Sequence, residues 1–147
     1  MHEKFMKEAL IEAKKSLEID EVPIGAVIVK NDKILARAHN LKNQSNSSLA
    51  HAEIIAINIA CKKLQNWRLN DCDIYITLEP CPMCASAIKQ SRISRIYYGV
   101  ESSNANNHRI FEMICKNKDN NSSIEYYSGL KKNECLVLLN KFFNSKR

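Results

Sequence analysis

The segment that decides the fold is residues 72–100, "CDIYITLEPCPMCASAIKQSRISRIYYGV", because it predicts a strand, a helix and a second strand in direct succession. "CDIYITL" and "ISRIYYGV" are short apolar runs rich in β-branched and aromatic residues, which is typical of buried strands. "CPMCASAIKQ" between them predicts a short helix, and Pro82 fits its first turn, where a missing N–H costs no hydrogen bond. Strands that alternate with helices favour a sheet covered on both faces.

The segments before residue 72 extend this pattern of helices and strands toward the N-terminus. Residues 3–18 predict a helix in which apolar side chains recur at helical spacing, and "EVPIGAVIVKNDKILARAHN" predicts a hairpin around the turn "KND". The polar stretch "LKNQSNSS" predicts a loop, and a helix is expected from His51 to Leu64.

The second half of the chain is predicted by the same criteria. "SSNANNH" at 102–108 and "NKDNNSS" at 117–123 predict loops around the mixed segment 109–118, "IEYYSG" predicts a short strand, and residues 131–145 predict an amphipathic closing helix. We therefore expect an α/β fold, a three-layer α/β/α domain with a mixed central sheet, formed by residues 1–147 as a single domain.

Composition limits the function classes. The apolar runs are shorter than the roughly 20 residues that span a bilayer, and "MHEKFMKEA" lacks the apolar region of a signal peptide, so we expect no membrane partner and a cytoplasmic location. Six cysteines in such a chain favour reduced thiols or metal ligands over disulfides. The net charge of +6 suits a polyanion such as RNA, although many basic proteins carry such charge only as a solvated surface.

Cys81 and Cys84 form the first chemical motif. They are three residues apart at the start of a helix, so both sulfurs lie on one face, and the positive end of the helix dipole favours the thiolate that binds metal. A CxxC pair alone is ambiguous, since it also occurs in redox pairs and in structural zinc sites with four protein ligands.

The other cysteines and the histidines decide between these alternatives. Cys61, Cys72, Cys115 and Cys135 are isolated and predicted to be core residues. His2 is expected to be a disordered terminal residue, His39 to end a strand and His108 to lie in a polar loop. His51, in contrast, begins a helix as Cys81 does, and helices that start at the carboxyl ends of strands face a common crevice. We therefore predict one zinc ion held by His51, Cys81 and Cys84, with the fourth position open as in catalytic sites.

Glu53 follows His51 by two residues in the first helical turn. Side chains of that turn lean toward the open N-terminus, so Glu53 and His51 are able to converge there. Zinc with an open position activates water, which needs a proton acceptor, and we predict that Glu53 fills this catalytic role. The alternative is an acid that only stabilises the start of the helix, a common function of glutamate at that position.

These residues resemble a known family. "HAE" and "PCPMC" are similar to the signature of the zinc-dependent cytidine deaminase superfamily, and "EVPIGAVIV", "QNWRL", "SRISRIYYG" and "SGLKKNECLVLLNKFF" resemble the bacterial tRNA adenosine deaminase family. The resemblance implies hydrolysis of the wobble adenosine of a tRNA anticodon to inosine, in a homodimer. It also implies that Asn40 hydrogen-bonds the nucleoside and that the backbone of Ala52 holds the reacting centre, although asparagine at a strand end is often only a turn former.

The chain departs from the family near the substrate. Residues 47–49 are Ser-Ser-Leu where relatives usually have an Asp-Pro-Thr-like segment, and Ser102 replaces a usual aspartate. We expect contacts to the tRNA anticodon loop from five residues: Ser102, Lys141, Phe143, Lys146 and Arg147. Of Phe142 and Phe143, at least one is expected to pack in the core. A deaminase of free bases such as guanine or cytosine, and a non-catalytic zinc-stabilised RNA-binding subunit, remain as alternatives.

Overall fold

The computed structural model describes residues 2–118 and 123–146. The helices in these residues are α1 (His2–Glu18), α2 (Ala52–Leu64), α3 (Pro82–Gln90), α4 (Ala105–Lys116) and α5 (Lys132–Asn144). The strands are β1 (Gly25–Lys30), β2 (Lys33–His39), β3 (Cys72–Leu78), β4 (Arg95–Val100) and β5 (Glu125–Tyr127). Segment 72–100 folds as β3, α3 and β4, as its sequence predicts.

The five strands form one mixed sheet in the order β2-β1-β3-β4-β5. β1 is antiparallel to both β2 and β3, whereas β3 and β4, and β4 and β5, pair in parallel. As a result, β2, β3, β4 and β5 all run in one direction and their carboxyl ends lie at the same edge of the sheet. The mixed sheet expected from the sequence is confirmed.

Two apolar clusters cover the two faces of the sheet. On one face, α2, α3 and α4 pack against residues that include Ile28, Ile74 and Tyr98. On the other face, α1 and α5 pack against Val27 and Tyr75, the alternate positions of the same strands. This arrangement confirms the three-layer α/β/α architecture.

Helix α4 corrects one prediction. Residues 102–108 were expected to form a loop, but α4 already begins at Ala105, so the prediction was wrong for its last four residues. The side chain of Asn104 accepts hydrogen bonds from the backbone N–H groups of Asn106 and Asn107 at 3.0 and 3.1 Å. Asparagine is frequent in loops, but here it caps a helix by satisfying N–H groups that the first turn leaves unpaired. His108 is consequently a helical residue.

His2 corrects a second prediction. It was expected to be disordered, but it lies in α1, where its Nδ1 atom is 2.7 Å from the hydroxyl of Tyr75 and its ring stacks on Tyr97.

The remaining helices and strands agree with the sequence prediction to within a few residues. Cys72, Cys115 and Cys135 are buried as expected, while Cys61 is partly exposed. Among the described residues, no helix is both long and apolar enough to cross a membrane.

Candidate active site

His51 and Cys81 occupy equivalent places in the fold. Each is the N-cap residue of a helix, with extended backbone, and each helix follows a strand that ends at the same edge of the sheet: α2 follows β2 and α3 follows β3. Cys84 lies in the first turn of α3, three residues after Cys81. The sheet therefore brings two helix N-termini together, as the sequence predicts.

The three predicted ligands meet at distances that suit zinc. The Nδ1 atom of His51 is 3.7 Å from the sulfur of Cys81 and 3.5 Å from the sulfur of Cys84, and the donor atoms of all three residues lie within 4.8 Å of one another. A tetrahedral zinc ion with Zn–S of about 2.3 Å and Zn–N of about 2.0 Å places a sulfur and a nitrogen ligand about 3.5 Å apart. The donor set and its spacing fit this ion.

The local electrostatics favour a cation at this point. The hydrogen bond from the Cys84 thiol is the main reason why the pKa of Cys81 is lowered to about 5, and backbone N–H groups at the start of α3 lower it further. The same hydrogen bond, together with burial, raises the pKa of Cys84. The Cys84 thiol, helped by the start of α3, thus favours the thiolate of Cys81, which is the form that binds metal.

Glu53 lies beside these donors and is almost fully enclosed. Only 3% of the residue is exposed, and its Oε1 atom is buried with no hydrogen-bond partner in the described part of the chain. Burial is the main reason why its pKa is raised to about 7. A glutamate that merely complements the helix dipole has no need of such burial, because buried polar atoms are normally paired. The enclosed carboxyl group fits the transfer of a proton at the metal.

Comparison with known proteins decides the family. Residues 1–100 match the family described as "Cytidine and deoxycytidylate deaminase zinc-binding region". The chain belongs to this deaminase family.

Individual relatives show which members of this family the chain resembles. The chain is 43% identical over 145 residues to the tRNA-specific adenosine deaminase of Bacillus subtilis, and the match covers 99% of this chain and 90% of the relative. A solved structure from a study of A-to-I editing by tRNA deaminases at the wobble position superposes with a TM-score of 0.84 at 40% identity, covering 92% of this chain and 99% of the other. Guanine deaminase from Bacillus subtilis superposes with a TM-score of 0.68 at 36% identity, covering 86% and 84%.

Asn40 and Ala52 are the two residues predicted to hold the substrate. Asn40 follows β2 and is buried, its side chain accepting from the backbone N–H of Lys42 at 3.2 Å and donating to the carbonyl oxygen of Val22 at 3.4 Å. Ala52 is the buried first residue of α2, between His51 and Glu53, and its N–H is among those that a helix leaves without an intrahelical partner. Their roles in holding the nucleoside stay predictions.

The predicted RNA contacts do not all share one surface. Ser102 and Phe143 line a cleft of about 290 Å³ that also includes Leu78 and Val100, at the carboxyl ends of β3 and β4. Lys141 instead lines a separate cleft of about 520 Å³ between α1 and α5.

The last two predicted contacts lie at the end of the chain. Lys146 forms an ion pair with Asp20 at 2.6 Å, close to the end of α1. Arg147 is outside the described residues, so its contact stays a prediction.

Sequence reasoning missed the role of Glu79. Its carboxylate is buried two residues before Cys81 and accepts a hydrogen bond from Nδ1 of His108 at 2.5 Å. This contact ties α4 to the loop that carries a zinc ligand, and the hydrogen bond raises the pKa of His108. The only signal in the sequence was an acidic residue directly before the cysteine motif, in "TLEPCPMC".

Proposed function

We propose that this protein is a tRNA adenosine deaminase that converts the wobble adenosine of an anticodon to inosine by zinc-dependent hydrolysis. One observation carries the proposal: the buried carboxyl of Glu53, whose Oε1 atom has no hydrogen-bond partner among the described residues, lies beside the donor set of His51, Cys81 and Cys84. The near full-length likeness to a tRNA-specific adenosine deaminase supports the choice of substrate.

The reaction replaces the amino group at C6 of adenine by oxygen and releases ammonia. Zinc held by His51, Cys81 and Cys84 supplies the Lewis acidity that makes a water molecule nucleophilic at neutral pH. Glu53 accepts the proton of the attacking water at Oε1 and delivers it to the ring nitrogen beside C6. A second proton passes through the same carboxyl to the leaving amine. The bond between C6 and the exocyclic amino nitrogen then breaks, and neutral ammonia departs.

Asn40 and Ala52 hold the nucleoside in this proposal. The amide of Asn40 still has a second N–H and a second acceptor lone pair after its bonds to Val22 and Lys42. The N–H of Ala52 points out of the start of α2, toward the crevice that the two helices share. Together these groups orient the base over the zinc donors, and the burial of Glu53 keeps bulk water away from the transferred proton.

The remaining anticodon loop is assigned to the cleft at the edge of the sheet. Phe143 is 51% exposed there and offers a ring on which a base stacks, and Ser102 offers a hydroxyl group. Outside this cleft, Lys141 in the cleft between α1 and α5 and Lys146 near the end of α5 add positive charge for phosphates, and Arg147 extends that charge at the end of the chain. We assign the protein to the cytoplasm, as a single domain that acts as a homodimer on tRNA.

The likeness to a guanine deaminase supports one rival, a deaminase of free bases that uses the same zinc donors and Glu53. The deciding experiment compares inosine formation in an unmodified tRNA transcript that carries wobble adenosine with ammonia release from guanine, cytosine, adenine and adenosine. The control is the same transcript with guanosine at the wobble position.

Inosine in the first transcript, with slow release from every free substrate, is the expected result. Rapid turnover of guanine or cytosine with an unchanged anticodon would instead assign the protein to the free-base deaminases. Binding of tRNA by the zinc-loaded protein without any turnover would favour a non-catalytic subunit.

A further inference from the structure

Glu21 is a buried acid that the proposed reaction does not use. It lies between α1 and β1, and only 1% of the residue is exposed. Its two carboxylate oxygens accept hydrogen bonds from successive backbone N–H groups, Oε1 from Asn43 at 3.1 Å and Oε2 from Gln44 at 2.8 Å. A buried carboxylate is costly unless its oxygens are paired, so these contacts fix the side chain and the loop to each other.

The loop that Glu21 holds joins two residues of the active site. Residues 41–50 connect Asn40 with His51, and the backbone N–H of Leu41 donates to the carbonyl oxygen of Ala50 at 3.0 Å. This bond closes the base of the loop, so that Asn40 and His51 directly flank it on either side. A shift of the loop therefore changes the position of Asn40 relative to the zinc donors.

The residues next to Glu21 hold Asn40 itself. The carbonyl oxygen of Ile24 accepts from the backbone N–H of Asn40 at 3.1 Å, and the carbonyl oxygen of Val22 accepts from its side chain. From α1, the buried hydroxyl of Ser16 donates to the carbonyl oxygen of Asn40 at 2.9 Å. Segment 21–24 thus contacts both Asn40 and the loop that follows it.

We infer that Glu21 is a positioning residue for deamination, which sets the orientation of Asn40 against the zinc donors by holding loop 41–50. The inference rests on the proposed function, in which Asn40 binds the nucleoside. The hydrogen bonds of the Glu21 carboxylate go to Asn43 and Gln44 in the loop, so Glu21 acts on the reaction through the loop. It differs from an ordinary core residue because its contacts go to the backbone of that loop.

The variant Glu21→Gln isolates this effect. Glutamine keeps the size of the side chain but has a single acceptor oxygen, and its NH₂ group faces a backbone N–H that needs an acceptor. One hydrogen bond is lost and the loop is released on one side. Because a misplacement of about 1 Å costs up to about 10²-fold in rate, we expect kcat/KM on tRNA to fall about tenfold or more, with one zinc ion per chain retained.

A double-mutant cycle distinguishes positioning from general stability. Glu21→Gln is compared in the wild-type and in the Asn40→Ala background, with kcat/KM on tRNA measured per zinc-loaded, folded protein. If Glu21 acts through Asn40, its substitution costs about tenfold in the first background and less than about threefold in the second. Glu8→Gln is the matched control, because Glu8 lies on α1 and pairs with Arg37 at the surface, and it should stay within about twofold.

Equal losses in both backgrounds, no loss in either, or loss of zinc from Glu21→Gln would each overturn the inference. If the glutamine variant does not fold, Glu21→Asp enters the same cycle, because it keeps the carboxylate with a shorter reach, and a smaller loss with the same dependence on Asn40 is expected. If the wild-type protein forms inosine and Glu21→Gln keeps full activity, the inference about Glu21 is refuted and the proposed function is not. Wild-type protein that forms no inosine refutes the proposed function instead.

Discussion

The Nδ1 atom of His108 donates a hydrogen bond to the buried carboxylate of Glu79 at 2.5 Å, which joins the first turn of α4 to a residue just before Cys81. The other ring nitrogen of His108 lies 3.5 Å from the carboxylate of Glu112. Both acids favour the protonated imidazole, and the hydrogen bond with Glu79 is the main reason why the pKa of His108 is raised above 6.5. The contact therefore depends on pH.

The first prediction follows from the sign of this shift. A histidine whose pKa is raised by folding stabilises the protein fully below its unfolded pKa, and this contribution is lost as pH rises through the folded pKa. Thermal unfolding of the wild type and of His108→Gln should therefore differ most near about pH 5.5 and least near about pH 9. A difference in Tm that is constant with pH, or that grows toward alkaline pH, would contradict the assignment. In a Glu79→Gln background, the same His108→Gln comparison should show a weaker pH dependence, because Glu79 is the main group that raises the pKa of His108.

The second prediction separates catalysis from metal binding. Glu53→Gln should retain one zinc ion per chain, because the carboxyl is assigned to proton transfer and His51, Cys81 and Cys84 hold the metal. Its kcat on tRNA should fall by about 10² to 10⁴-fold, the usual contribution of a general acid and base. Elemental analysis and single-turnover inosine formation on the same preparation measure both quantities. Zinc loss together with activity would show that Glu53 is a ligand.

The third prediction concerns the metal itself. Cys84→Ala should lower the zinc content well below one ion per chain and abolish turnover, because two of the three donors do not complete a tight site. Cys61→Ala is the matched control, since Cys61 is a partly exposed thiol on α2 outside the donor set. It should keep its zinc and its activity. Full zinc retention in Cys84→Ala would refute the predicted ligand set.

The sequence predicted the parts of this site that depend on residue type and short spacing. The thiols of Cys81 and Cys84 are three residues apart, and His51 begins a helix of its own, so chemistry and periodicity were enough to group them. The start of α4 was missed because its asparagines suggest a loop by composition, and only the contacts of the Asn104 side chain reveal a cap. Loop composition and helix capping favour the same residues, so the sequence alone does not separate them.

The buried acids were missed for a different reason. The contact of Glu21 with Asn43 spans 22 positions and that of Glu79 with His108 spans 29, and both acids bind groups from other elements. No local pattern reports which buried carboxylate will meet which N–H, because that depends on how the elements pack. Such contacts join residues that are distant in the sequence, so they are identified only from the folded structure.

The last prediction uses two neighbouring phenylalanines near the end of α5. Phe142 is 8% exposed and belongs to the interior, whereas Phe143 is 51% exposed and lines the cleft with Ser102. This division agrees with the expectation that at least one of the two rings packs in the core. Phe143→Ala should therefore leave Tm nearly unchanged and weaken tRNA binding by about 1–3 kcal/mol, the usual contribution of one base stacked on an aromatic ring.

Phe142→Ala is the matched substitution and should behave in the opposite way. Loss of a buried ring costs about 3–5 kcal/mol of folding stability, so Tm should fall by roughly 6–20 °C, while tRNA affinity per folded molecule should change little. Thermal unfolding and binding of a catalytically inactive Glu53→Ala background to tRNA at fixed salt measure the two effects separately. Equal tRNA affinity of the two phenylalanine variants would remove Phe143 from the RNA surface, because the exposed ring would then contribute no more to binding than the buried one.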